Sequence, residues 1–479
     1  MKAGEIREVI GPKAKKIIAL TDRYESGGGL YNNYLRTGYH APVIDETFGV
    51  YLRDIDGNEY LDLTGGFCVA VQGYAPKAVK DAVIEQINRK WFLPEMPSVE
   101  RAELAKMLVD HAPGELKEGR VQFELSGAGA VDLAIQLAAF YGATRRKTES
   151  VGKILAFTGA YHGRTTLTGS AGSLPGFRWR LPKHTNVVRM PYAYCYRCPY
   201  AKEYPACNMH CAREVQRLIR NAGNSEADFP EWFESAPSGE HVSRRDDPGE
   251  ITALVVEPLQ DYAGMIVPPA EFHPVLREAC DESGIVYVDD EIPSFLNTGR
   301  WFGIEHWNVV PDVIAIGKEL SGGVVPVSAV IAKKELFEAW GAESGRHFTT
   351  YMGYPVGCAA ALANLRSIEQ DGVLDRIREN GEYFIEGLRE LQNRHKVIGD
   401  VSGMGRMLGI ELVLDRKTKE PAVKERNAFA REALRRGVVI PDAMGDSTRC
   451  LFIPPAPITR QEIDLSMEVM DMALKVAVA

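Results

Sequence analysis

Cysteine is scarce in this chain, and no long apolar run occurs in it. Eight cysteines in 479 residues argue against the disulfide-dense scaffold of a small secreted domain. No stretch approaches the roughly 18 apolar residues of a membrane span. The opening Met1-Lys2-Ala3-Gly4-Glu5-Ile6-Arg7-Glu8 lacks the apolar core of a secretory leader. The expectation is a cytoplasmic protein with no membrane partner. Blocks of one charge sign are also missing, and the net charge of −9 is spread over interspersed acids and bases. That leaves no basic footprint for a nucleic acid. Neither an internal repeat nor a low-complexity tract occurs, and 479 residues exceed what one small core organises, so two or three domains are expected.

What is present centres on two strand ends. Ile285-Val286-Tyr287-Val288 runs into Asp289-Asp290-Glu291, and Val313-Ile314-Ala315-Ile316 runs into Gly317-Lys318 before a small-residue turn. Both runs have the composition of buried parallel strands, and open α/β sheets bind ligands at strand carboxyl ends. An acid beside a lysine at that edge is what pyridoxal phosphate chemistry requires. The lysine forms a Schiff base, and the carboxylate keeps the pyridine nitrogen protonated. Lys318 and Asp290 are the catalytic candidates. Taken singly, each could equally be an ordinary strand-end residue.

Elsewhere the chain alternates strands, turns and helices. Val50 to Leu63 alternates polar and apolar residues around Asp56-Gly57, a hairpin signal. Strand Val121–Leu125 leads through Ser126-Gly127-Ala128-Gly129-Ala130 into an apolar helix from Val131 to Tyr141. Such a turn exposes backbone N–H groups at a helix start, where a phosphate binds well. Strand Lys153–Phe157 ends near Tyr161-His162-Gly163, and strand Ala253–Val256 ends in Glu257-Pro258 and a loop with Gln260, Tyr262 and Gly264. The fold class expected is α/β, a mostly parallel sheet flanked by helices, with a smaller α+β domain. Its parts are an N-terminal segment over residues 1–75, a large domain over 76–350 and a C-terminal α+β domain over 351–479. A polar insertion over 221–250 interrupts the large domain.

In this order the motifs resemble the class III, or ω-amino-acid, aminotransferases of the type I pyridoxal phosphate fold, over nearly the whole chain. The resemblance implies that Lys318 bonds to the cofactor and that Asp290 pairs with its pyridine nitrogen. It implies that Tyr161 stacks on the ring and that Ser126, Gly127 and Ala128 hold the phosphate. His162, Glu257 and Ile292 would also line the cofactor, and Thr350 would reach the phosphate from the other subunit of a homodimer, with a tetramer as the larger assembly. The implied reaction moves an amino group from an amine or amino acid to a 2-oxo acid. Racemisation, decarboxylation or elimination on the same site is the alternative, and a non-catalytic metal- or cofactor-binding protein is a remoter one.

Several positions depart from the family pattern. Glu291-Ile292-Pro293 stands where Glu-Val-Gln is usual, Asn297 where an arginine is usual, and Gly129 where an acid follows the phosphate turn. A glutamate and arginine pair that grips an α-carboxylate aligns with Tyr262 and with Leu451 or Phe452, though Arg449 lies close enough for a slip to restore it. Finally, Cys195, Cys198, Cys207 and Cys211 have a spacing that suits tetrahedral zinc or an iron–sulfur cluster. The alternative for them is four free thiols in an ordered loop. Cys68, Cys280, Cys358 and Cys450 read as core.

Overall fold

The computed structural model describes residues 5–25, 40–90, 92, 96–147, 150–173, 183–222, 250–341, 347–441 and 448–479. The polar insertion lies almost wholly outside them.

A seven-stranded sheet organises the chain, in the order Arg120–Glu124, Ser328–Ala332, Val313–Ile316, Val286–Asp290, Ile251–Val256, Lys153–Phe157, Val187–Met190. Ser328–Ala332 runs antiparallel to both its neighbours, and every other pairing is parallel. This is the mostly parallel sheet expected. Its central strands are largely apolar because successive side chains point to opposite faces and both faces are covered. Ile154, Ala253, Val286 and Val313 pack with residues of helix Gly127–Arg146 on one face. Leu155, Leu254, Tyr287 and Ile314 face the other way, toward Phe272 and Leu276 of helix Phe272–Ser283.

The helix expected from Val131 begins earlier, at Gly127, because the Ser126 side chain caps it by accepting the Gly129 N–H. Helix Val99–His111 and strand Val187–Met190, the latter only four residues long and half-buried at alternate positions, were not anticipated.

The hairpin around Asp56-Gly57 is present as Tyr51–Asp54 and Glu59–Asp62. Val438–Val439, from far along the chain, adds in parallel to Glu59–Asp62. A further sheet comprises Ile398–Met404, Met407–Asp415, Glu420–Pro421 and Arg449–Phe452. Phe384 and Leu388 of helix Val373–Arg394 and Met470 of helix Arg460–Ala477 share a core with Leu412, Phe429 and Phe452.

Candidate functional site

The strand order brings the expected residues to one edge. Asp290 ends Val286–Asp290, and Lys318 follows the adjacent strand Val313–Ile316. Glu257 follows Ile251–Val256, Tyr161 and His162 lie after Lys153–Phe157, and Ser126 lies after Arg120–Glu124. All are at carboxyl ends, where neighbouring loops diverge and leave a crevice.

Asp290 is fully buried and both its oxygens are engaged. Oδ2 is 2.7 Å from His162 Nδ1, and Oδ1 accepts the Ile292 N–H at 3.0 Å. The other ring nitrogen of His162, Nε2, is buried without a partner among the described residues. Ile292 reaches over the phosphate turn. A Cβ added at Gly127 or at Gly317 would lie 3.0 Å from its side chain. Glycine at both positions therefore lets the end of the lysine strand close onto the turn.

Lys318 sits at φ +42°, a left-handed conformation that a side chain rarely adopts. Its Nζ is 3.2 Å from Asp261 Oδ2 and 5.5 Å from the centroid of the Tyr262 ring. Burial works against the ammonium, but Cys68, Asp261, Tyr262 and Glu319 more than offset it and hold the lysine well above its usual pKa. Tyr262 packs against Tyr161, with ring centroids 4.3 Å apart. Glu257 fastens this wall, accepting the Tyr161 N–H at 3.3 Å and the Asp261 N–H at 3.4 Å. Burial, with Asp290 and Asp261 nearby, pushes the Glu257 carboxyl well above the usual range. Glu257 thus braces two loops from below.

At the phosphate turn, Ser126 accepts the Gly129 N–H at 3.1 Å, and Ser328 donates to the Ser126 carbonyl at 2.8 Å. The N–H groups of Gly127 and Ala128 have no partner among the described residues and stand at the positive end of a 20-residue helix. Near position 129, where the family's acid is missing, stands Glu124 from the end of the preceding strand. Glu124 Oε2 would lie 2.8 Å from a Cβ at Gly129, and this carboxylate accepts the Leu125 N–H at 3.1 Å. Its other oxygen binds His347 Nε2 at 2.6 Å and the Thr349 hydroxyl at 3.2 Å. Thr350, next in the chain, is exposed.

Arg449 does not face the lysine. It is completely buried and bonded to Glu411 at 2.9 Å, Asp400 at 3.3 Å, Ser402 at 2.6 Å, Tyr194 at 2.6 Å and the Gly264 carbonyl at 2.7 Å. With Nε, Nη1 and Nη2 each engaged and the side chain sealed from solvent, this guanidinium is not presented to a substrate carboxylate. Leu451 is core, packed in one cluster with Cys68, Leu259 and Met265. The Asn297 departure is matched by another buried arginine. Arg406 Nε donates to Asn297 Oδ1 at 2.6 Å, and its remaining donors reach the carbonyls of Cys68, Ile453 and Pro454.

The metal expectation finds no support in the structure. Among the described residues no group of His, Cys, Asp and Glu is arranged to hold a metal ion, and Cys195, Cys198, Cys207 and Cys211 are free thiols. Their segment is ordered by other contacts. Tyr194 and Arg197 both bond to Glu411, Arg197 reaches the Lys419 carbonyl at 2.7 Å, and Lys419 Nζ returns to the Tyr196 carbonyl at 2.5 Å. Cys68, Cys280, Cys358 and Cys450 are buried, as expected of core.

Three participants were missed from sequence. Glu124, Asp261 and Arg406 give no motif, although Asp261 lies inside the loop already marked by Gln260 and Tyr262.

A strand-end lysine, a buried acid on the next strand and a helix-capped phosphate turn define a pyridoxal-phosphate-type site on an α/β scaffold. The sequence matches the family model Aminotransferase class-III over residues 34–229 and 235–474. The chain belongs to the class III aminotransferases, and pyridoxal phosphate is the cofactor expected of that class. It is 32% identical to a leucine/methionine racemase of Thermococcus litoralis, covering 91% of each chain. It is 34% identical to an adenosylmethionine-8-amino-7-oxononanoate aminotransferase of Nitratidesulfovibrio vulgaris, over 89% of this chain and 76% of that one. An (S)-enantioselective ω-transaminase from Thermomicrobium roseum superposes with a TM-score of 0.85 at 27% identity, over 97% and 99% of the two chains. The solved neighbour is a transaminase of fold type I, in keeping with the sheet order above.

Proposed function

We propose that this enzyme moves an amino group from an amine or amino acid to a 2-oxo acid, with pyridoxal phosphate bound at the strand ends around Lys318. The observation that carries this reading is the pair of adjacent strand ends presenting Asp290 and Lys318. The free N–H groups of Gly127 and Ala128 suit the phosphate, and the unpartnered His162 Nε2 marks a buried polar edge beside Asp290. When bound, the cofactor supplies an electron sink conjugated to the substrate amine.

The protein's own residues do the rest. Asp290 would pair with the pyridine nitrogen, and His162 fixes that carboxylate. Tyr161, packed on Tyr262, would lie against the cofactor's ring. Lys318 would hold the cofactor, and its free amine would carry a proton to and from the substrate carbon. Thr350 completes the phosphate site of the second subunit in a homodimer, and the enzyme works in the cytoplasm.

Incubating the enzyme with an amine donor and pyruvate tests the reading. Alanine should form, and Lys318→Ala should abolish it; no amino transfer from a broad amine panel to pyruvate or another 2-oxo acid would refute it. A second reading, amino-acid racemisation, is favoured by the racemase relative at 32% identity. It predicts exchange of the α-hydrogen with deuterated solvent and loss of optical purity when no 2-oxo acid is present.

A further inference from the structure

Asp261 belongs to no motif recognised above, yet its carboxylate is the nearest charged group to the lysine of the site. It is 2% exposed, and its Oδ2 lies 3.2 Å from Lys318 Nζ. Two features keep it there. Its backbone N–H is held by Glu257, and its carbonyl accepts the N–H groups of Gly264 at 2.9 Å and Met265 at 3.2 Å. The loop is thus closed on itself and aimed at the lysine. Family members that grip an α-carboxylate carry their glutamate in this same loop, aligned with Tyr262, whereas here the acid stands one position earlier and meets the lysine.

We propose that Asp261 is a positioning residue for the reaction, the counter-ion that holds the Lys318 ammonium whenever that amine is not bonded to cofactor. The proposal rests on the function assigned above, because it concerns the lysine of that site. When Lys318 takes a proton from the substrate carbon, its nitrogen becomes an ammonium and the proton stays on it until it is returned. Asp261 faces that charge directly. It steadies the protonated state and fixes the direction in which the amine points, without itself touching the substrate. The other groups facing the lysine are Cys68, Tyr262 and Tyr161 from neighbouring elements and Glu319 on its own turn. Cys68 and Tyr262 have pKa values raised by burial, which leaves both neutral near pH 7. Glu319 is likewise driven toward its neutral form by burial. That leaves Asp261, at 3.2 Å, as the carboxylate in direct contact with Lys318 Nζ.

The test reads the lysine itself. Cofactor-free wild type, Asp261→Asn and Asp261→Glu are treated with an amine-selective acylating reagent across pH 6–10, and modification of Lys318 is quantified by peptide mass spectrometry. An opposite charge within about 4–6 Å shifts a pKa by about one to three units. Asp261→Asn should therefore raise the modification rate at pH 8 by about tenfold or more, and Asp261→Glu should retain the slow wild-type profile. Circular dichroism and melting temperature establish that each variant is folded. If folded Asp261→Asn follows the wild-type pH profile, the proposal is overturned. Failure of the underlying assignment looks different: pyridoxal phosphate and borohydride would then leave no label on Lys318 in the wild type, whatever the acylation profile.

Discussion

His162 Nδ1 stands 2.7 Å from Asp290 Oδ2, with both side chains removed from solvent. The pair joins two strands that are not neighbours, since Ile251–Val256 lies between them in the sheet. It orients the carboxylate that the proposed function pairs with the cofactor.

Replacing His162 by phenylalanine keeps the bulk and removes the hydrogen bond. A hydrogen bond to a charged group contributes about 1.5–3 kcal/mol, so kcat/KM should fall about ten- to hundredfold. Steady-state kinetics of alanine formation, with pyridoxal phosphate affinity measured alongside, checks this. Unchanged kinetics would remove His162 from the site.

Arg449 should matter for stability rather than substrate binding. Breaking a buried ion pair by removing one partner costs about 3–5 kcal/mol. Glu411 would still hold Arg197, which should place Arg449→Met near the low end of that range. Urea denaturation measures the loss. A rise in KM confined to substrates bearing an α-carboxylate, with stability intact, would contradict the buried assignment.

Gly129→Ala is expected to destabilise the phosphate turn although alanine favours helices. The new methyl would stand 2.8 Å from Glu124 Oε2, a carboxylate held by Leu125, His347 and Thr349. Overpacking of this kind costs about 1–3 kcal/mol. Cofactor affinity should weaken in parallel, and adding Glu124→Ala should relieve the steric part. Equilibrium dialysis and thermal melts of the single and double variants decide it.

His273 supplies a pH dependence. It is fully buried, with Nδ1 2.7 Å from the Tyr287 hydroxyl and Nε2 2.8 Å from the Pro258 carbonyl. Burial lowers its pKa from 6.5 to about 4. The unfolded chain therefore binds more protons between those values, so stability from this group is full above pH 6.5 and falls as pH drops toward 4. At about 1.36 kcal/mol per unit, the loss is on the order of 3 kcal/mol. Melting temperature should decline over that window in wild type and decline less in His273→Gln.

Fold type, strand ends and cofactor class were legible in the sequence because each is written in local chemistry. β-branched runs such as Ile251–Val256 bury on both faces, so their composition marks them as sheet-core strands whatever surrounds them. Ser126 caps the helix that follows it, and Lys318 and Asp290 end their strands; contiguous residues carry these signals. Short, polar or long-range features left weaker traces. Val187–Met190 is a four-residue strand containing an arginine, and Val438–Val439 becomes a strand only by pairing with Glu59–Asp62.

The tertiary structure decided the departures. Arg449 could not be assigned to substrate or core from its position near Pro454-Pro455, because its partners Asp400, Ser402, Glu411, Tyr194 and Gly264 come from distant segments. Glu124 stands beside Gly129, where an acid is absent, and Arg406 meets Asn297 across 109 residues of chain. The thiols between Cys195 and Cys211 have metal-like spacing along the chain, and it took the folded structure to show that Tyr194, Arg197 and Lys419 clamp their segment. Local sequence determines which backbone forms and which groups stand at its ends. Only packing determines which charges meet, since burying an arginine or a lysine is tolerable only where folding has brought it compensating partners.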